Sequence, residues 1–236
     1  MQKQTVCVGT VGAGYAAYLH GNGYEKVSSI NVRLKTICDV NQERAAAVQK
    51  RYGYEEICSD YHQMLADPEI DVIDIVTPPV AHPQMIMDAL NAGKHVICEK
   101  PLTGYFGPPG SQDVGVTVPK KVMFQQVMEQ MDELKKAIAQ SNSKFMYAEN
   151  FVYATPVQKA AEIIRAKNSK ILWLKGEESV KGSTTAAAGL WSCIGGGSLT
   201  RVGCHPLTGI LWLKQQEAIN RGEHITIQSV TCDTGM

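Results

Sequence analysis

Three groups of residues have types and spacings that could do chemistry. The first is Gly12-x-Gly14-x-x-Ala17, which follows a short apolar run beginning at Thr5. A glycine at the first position permits a tight turn. A glycine at the second lets backbone approach a pyrophosphate, and a small third residue lets a helix pack on its strand. Ala13 and Tyr15 lie in the same turn, and the helix that follows offers N–H donors and the positive end of its dipole to phosphate. The second is Asp39, 25 residues after Gly14, at the end of the alternating run Val32–Cys38. A carboxylate there accepts hydrogen bonds from both ribose hydroxyls and repels a 2′-phosphate, which favours NAD over NADP. Arg44 could hold a 2′-phosphate and tempers that preference. The third is Glu99-Lys100-Pro101, which ends the apolar run His95–Cys98. A strand's carboxyl end is where open α/β sheets place their ligands.

These residues need a scaffold, and the patterning supplies one. Asp71–Val76 reads as a buried strand broken by Thr77-Pro78-Pro79, and His82–Ala92 as a helix stopped by Gly93. With His95–Cys98 they make a strand–helix–strand crossover with both strands parallel. Asn41–Tyr52 reads as a helix with Asn41 as its N-cap. Ile57-Cys58 suggests a short strand, Tyr61–Ala66 a short helix, Val122–Ala139 a long helix and Lys144–Ala148 a sixth strand. Residues 105–121 are rich in Gly and Pro and read as a loop. The alternation of strands and helices predicts an α/β fold, a Rossmann-type doubly wound parallel sheet over residues 1–150. A second, incomplete α/β (α+β) domain is expected over 151–236. It has a helix from Thr155 to about Ala166, a strand at Ile171–Gly176, a helix holding His205 and ending near Lys214, and a strand at Ile225–Thr231.

Composition narrows the function classes. The 236 residues include 23 Lys plus Arg and 23 Asp plus Glu, so no basic excess points to nucleic acid or a membrane surface. No run approaches the length of a membrane-spanning helix, and the N-terminal stretch lacks the apolar core of a secretory leader. The seven cysteines form no CxxC pair, and three fall inside expected strands. Reduced thiols in a cytoplasmic protein are the expectation. No His/Cys cluster has zinc-ligand spacing along the chain, so no metal is expected.

The combination of GxGxxA, Asp39, TPPVAH, ALNAGKHVICEKPLT, YAENFVY and GGGSLTRVGCHP resembles the glucose–fructose oxidoreductase/inositol dehydrogenase (Gfo/Idh/MocA) family. The resemblance implies NAD(P)-dependent oxidation or reduction of a sugar, cyclitol or related secondary alcohol, and a homo-oligomer. It implies Lys100 as the catalytic lysine, with Glu99, His82, Thr77 and Pro78 around the nicotinamide. It makes His205 a substrate or proton-transfer residue, with Asn150 and Arg201 toward the substrate. Two positions depart from the family pattern. Arg201 and Thr208 stand where aspartates are usual, so the usual Asp–His pair is absent. The chain also stops short of the family's large second sheet, which reads as a fragment or a truncated relative. A catalytically silent dinucleotide-binding protein is therefore the alternative to the dehydrogenase. An S-adenosylmethionine enzyme on the same sheet is disfavoured by the Glu99-Lys100-Pro101 strand end.

Oxidising a secondary alcohol sends a hydride to the nicotinamide and a proton to a group within hydrogen-bond reach. Lys100 could take or donate that proton, or stabilise alkoxide charge. A lysine acts as a base only if burial or a neighbouring cation lowers its pKa from about 10.4, whereas His205 starts nearer neutrality.

Overall fold

The computed structural model describes residues 3–108, 110–111, 113–183 and 185–233. The chain divides into two compact units, one formed by Met1–Ala148 with Gly182–Arg201, the other by Glu149–Lys181 with Val202–Met236.

The first unit is a six-stranded parallel sheet in the order β3-β2-β1-β4-β5-β6. Its strands are β1 (Thr5–Val11), β2 (Asn31–Cys38), β3 (Glu56–Cys58), β4 (Val72–Ile75), β5 (His95–Glu99) and β6 (Phe145–Ala148). Between them run α1 (Tyr15–Tyr24), α2 (Gln42–Tyr52), α3 (His62–Ala66), α4 (His82–Asn91), α5 (Val114–Thr117) and α6 (Lys120–Gln140). Strand order reverses between β1 and β4, and the crevice outside their carboxyl ends is the ligand position of such sheets.

Both faces of the sheet are covered, which is why β1 and β4 are buried along nearly their whole length rather than at alternate residues. Ala17 and Val48 pack with Ile37 and Tyr54 on the α1/α2 face. Ile86, Leu90 and Leu134 pack with Ile73, Ile75 and Val96 on the α4/α6 face. Asn41 caps α2 by accepting from the Arg44 N–H at 3.0 Å. Gly93, with φ of +74°, ends α4 as a left-handed glycine does.

The Gly/Pro-rich stretch expected as a loop contains the single turn α5, opened by Asp113, and α6 starts at Lys120 directly after Pro119. Residues 182–201 return to the first unit as a strap. It carries a 3₁₀ turn at Ala186–Gly189 and two short helices, α8 (Trp191–Ile194) and α9 (Ser198–Arg201). Helix α8 packs on the 3₁₀ turn Pro79–Ala81 that follows β4. The Tyr105 N–H donates to the Gly195 carbonyl at 2.8 Å, and Trp191 Nε1 donates to the Tyr105 carbonyl at 2.7 Å. A Cβ on Gly104 would lie 2.4 Å from the Gly195 oxygen, so only backbone fits at that contact.

The second unit contains the 3₁₀ turn Asn150–Tyr153, α7 (Thr155–Lys167) and α10 (Cys204–Arg221), and no strand among its described residues. The expected strand Ile171–Gly176 does not form. Its backbone is drawn onto α10 instead, with the Ile171 N–H donating to Glu217 Oε2 at 2.8 Å and Lys214 Nζ donating to the Ile171 carbonyl at 3.3 Å. Nor does Ile225–Thr231 form a strand: its apolar alternation has no neighbouring strand to pair with, and Ile227 and Val230 are exposed. The single helix expected around His205 is two, α9 and α10, and α10 continues past Lys214 to Arg221.

Candidate functional site

The glycine turn has the shape its spacing predicts. Gly12 has φ of +104°, and a Cβ there would lie 2.9 Å from the backbone of Val76, so the position tolerates no side chain. Gly14 is the N-cap of α1 and meets nothing within 4 Å of where a Cβ would sit. That open space, beside a helix N-terminus with no side-chain cap, fits a pyrophosphate held by backbone N–H groups. Ala17, in the first turn of α1, is fully buried, as the third position of the motif requires.

Asp39 stands at the end of β2 and ties the turn to the next helix. Its Oδ2 accepts from the Ala13 N–H and its Oδ1 from the Asn41 N–H, both at 2.7 Å. Tyr15 and Arg44 are exposed beside this corner.

At the end of β5, Glu99 and Lys100 face a different set of partners. Glu99 Oε2 accepts from the Lys100 backbone N–H at 2.9 Å, and Lys100 Nζ donates to the Arg201 carbonyl at 3.0 Å. The Lys100–Pro101 peptide is cis. Thr77 and Pro78 lie at the end of β4, and Thr77 Oγ1 contacts Met85 Sδ at 3.7 Å. His82 is fully buried between these strand ends. Its Nε2 lies 2.8 Å from the Thr77 carbonyl and its Nδ1 3.0 Å from the Pro101 carbonyl. Burial holds its pKa below the usual range despite those carbonyls. A ring enclosed in this way joins the two loops, so it positions Thr77 and Pro101 instead of presenting an edge to a ligand.

Behind Glu99 lies a charge network that sequence reading missed. Asp74, in the middle of β4, is completely buried. Its carboxylate takes His20 Nδ1 at 2.9 Å and the Tyr24 hydroxyl at 2.7 Å. The other ring nitrogen, His20 Nε2, reaches Glu99 Oε1 at 3.1 Å. Both nitrogens face carboxylates, so both donate and the ring is an imidazolium. Burial pulls the His20 pKa down, but the hydrogen bonds from Asp74 and Glu99 outweigh it and lift it to about 10. The available signal was a lone acid inside the apolar run DVIDIV, because a carboxylate in a buried strand must be paired.

In the second unit, Asn150 is exposed and His205 is nearly buried. Phe151 stacks on the His205 ring with centroids 4.6 Å apart. Glu149, only 3% exposed, accepts from His205 Nδ1 at 2.7 Å and from the Phe151 N–H at 3.0 Å. The carboxylate partner that Arg201 and Thr208 do not supply therefore comes from Glu149, next to the residue singled out in YAENFVY. A hydrogen bond to Nδ1 fixes the tautomer and leaves Nε2 as the basic atom.

Residues 6–107 match the model of an oxidoreductase family with an NAD-binding Rossmann fold. The levoglucosan dehydrogenase of Pseudarthrobacter phenanthrenivorans is 38% identical over 106 residues, which is 42% of this chain and 27% of that protein. The scyllo-inositol 2-dehydrogenase (NAD(+)) of Bacillus subtilis is 36% identical over 104 residues, 44% of this chain and 30% of that one. Among solved structures, levoglucosan dehydrogenase in complex with NADH and levoglucosan has a TM-score of 0.68 at 26% identity, covering 89% of this chain and 54% of the other. Apo scyllo-inositol dehydrogenase from Lactobacillus casei has a TM-score of 0.56 at 26% identity, covering 70% and 43%. The chain thus spans about half the length of the first of these structures. No helix among the described residues is long and apolar enough to cross a membrane. Residues 6–107 form an NAD-binding Rossmann fold and match the Gfo/Idh/MocA oxidoreductase family model over that stretch.

Proposed function

We propose that the protein is an NAD-dependent dehydrogenase of sugars, cyclitols or related secondary alcohols. The observation that carries the reading is the sheet's switch point. The Gly12–Gly14 turn follows β1, while Lys100, its N–H held by Glu99, directly follows β5, one strand beyond β4. Bound NAD supplies the hydride acceptor; the chain's part is to hold the pyrophosphate and ribose and to take the hydroxyl proton.

In this reading Asp39 meets the ribose, Thr77 and Pro78 border the nicotinamide, and Arg44 contributes at the adenosine end. Lys100 contacts the reacting hydroxyl and stabilises developing alkoxide charge. His205 accepts the proton at Nε2, with Glu149 stabilising the imidazolium that results. Asn150 and Arg201 bind substrate hydroxyls. The relatives named levoglucosan and scyllo-inositol dehydrogenase support a cyclic polyol as substrate. The absence of any disulfide among the seven cysteines supports a cytoplasmic setting. The exposed Leu172 and Trp173 support self-association.

The competing reading, a silent dinucleotide-binding protein, is favoured by the capture of the Lys100 ammonium on the Arg201 carbonyl. Single-turnover reduction of bound NAD on a panel of polyols and sugars separates the two. Wild-type turnover should fall by about 10²–10⁴ in Lys100→Ala and in His205→Ala, with NAD affinity nearly unchanged. No turnover by the wild type on the whole panel would establish the silent binder.

A further inference from the structure

We propose that the second unit holds one divalent zinc-class ion on Glu149, Cys204 and His205. One ligand atom from each residue lies within 4.8 Å of those from the other two. The set combines a thiol, an imidazole and a carboxylate, the mixture that selects zinc over the hard, oxygen-seeking cations. Its parts come from two places far apart in the chain, Glu149 before the Asn150–Tyr153 turn and Cys204-His205 at the start of α10, so linear spacing does not show it.

A second observation points to a ligand. Glu149 is 97% buried, and while its Oε1 serves both His205 and Phe151, its Oε2 has no hydrogen-bond partner among the described residues. An unmet carboxylate oxygen away from water costs free energy that a cation would recover. The site also has its supports in place. The Phe151 N–H holds the carboxylate, and the Phe151 ring lies flat on the imidazole, so two of the three ligands are oriented before any ion arrives.

Zinc at tetrahedral bond lengths of about 2.0–2.3 Å needs its ligands somewhat over 3 Å apart. Filling the site therefore draws Cys204 inward and opens the 2.7 Å Glu149–His205 contact. The Cys204 thiol gives its proton to solvent as the sulfur becomes a ligand. Three protein ligands leave a further position for water or a substrate hydroxyl. The proposal stands apart from the dehydrogenase reading, since it concerns binding without NAD or polyol. The two meet at one point: a His205 nitrogen bonded to zinc is no longer a base.

The test uses the full-length, untagged chain stripped with a chelator, then titrated with Zn²⁺ against a chromophoric chelator and separately with Co²⁺. One equivalent of Zn²⁺ should bind, and Co²⁺ should give a thiolate-to-metal charge-transfer band. Cys204→Ser should abolish the band, and Cys204→Ser and Glu149→Gln should each weaken Zn²⁺ binding by at least about 100-fold, the upper end of what losing a mere supporting residue costs. Circular dichroism of each variant controls for folding, and the wild-type band reads out thiolate ligation without any variant. No stoichiometric binding by the wild type overturns the proposal. So does binding that survives Cys204→Ser unchanged, which would place the ion elsewhere, for example on Cys38 and Cys58, which face each other across β2 and β3 of the first unit. If the dehydrogenase reading fails and zinc still binds, this inference is untouched.

Discussion

His20 should be a stability switch that operates in alkali. Its ring is held between Asp74 and Glu99, and its side chain is 15% exposed. Raising its pKa from 6.5 to about 10 corresponds to about 5 kcal/mol at ~1.4 kcal/mol per unit. Because the folded pKa is the higher one, this contribution is complete below the unfolded value of about 6.5. It declines as pH rises and is gone above about 10. At pH 8 about 3 kcal/mol should remain. The perturbation is His20→Gln, which keeps the bulk but removes the charge and leaves two carboxylates facing each other. The assay is urea unfolding of wild type and variant at pH 6, 8 and 10. The gap between them should be largest at pH 6, although protonation of the freed carboxylates in the variant will narrow it, and it should close toward pH 10. Asp74→Asn added to His20→Gln should restore part of the loss, since it removes the unpaired buried charge. Imidazole nitrogen NMR should show His20 doubly protonated at pH 8. A wild-type-to-variant gap that is the same at pH 6 and pH 10 would refute the argument.

Three further outcomes follow from residues already placed. Gly12→Ala forces a Cβ against the Val76 backbone at a φ of +104°, so it should cost roughly 1–3 kcal/mol in thermal unfolding and abolish NAD binding by calorimetry. The wild type should bind NAD more tightly than NADP, and Asp39→Ala should narrow the difference; tighter NADP binding by the wild type would hand the discriminating role to Arg44. Glu217 is buried, and although burial pushes its pKa up, Lys214 and the Ile171 N–H bring it below the usual range. A lowered folded pKa gives stability that is complete above about 4.5 and lost as pH falls, so acid should weaken the wild type more than Glu217→Gln in urea melts.

Much of the first unit was legible because its signals are local. The turn after β1, the cap at Asn41 and the stop at Gly93 depend on residues within a few positions of one another, and each element's period shows in a short window. The charge networks were not legible. His20 and Asp74 are 54 residues apart, and Glu149 and His205 are 56 apart. Their meeting depends on strand order in one case and on how a turn packs beside α10 in the other. The strands expected in the second unit show the limit from the other side. Alternating apolar residues state what a strand would look like, but a strand exists only where a neighbour takes its hydrogen bonds. At Ile171 those bonds went to the side chains of α10.

The return of residues 182–201 to the first unit makes the chain cross between units three times, after Ala148, Lys181 and Arg201. Neither unit is therefore a continuous stretch of gene. Expression of the chain only as far as Ala148 would leave the Tyr105 N–H and carbonyl without Gly195 and Trp191, and would bare the Gly104 surface. A single proteolytic nick at the first crossing has the opposite outcome. The C-terminal fragment then keeps the strap, and so should stay docked on the Rossmann fragment by the same hydrogen bonds to Tyr105.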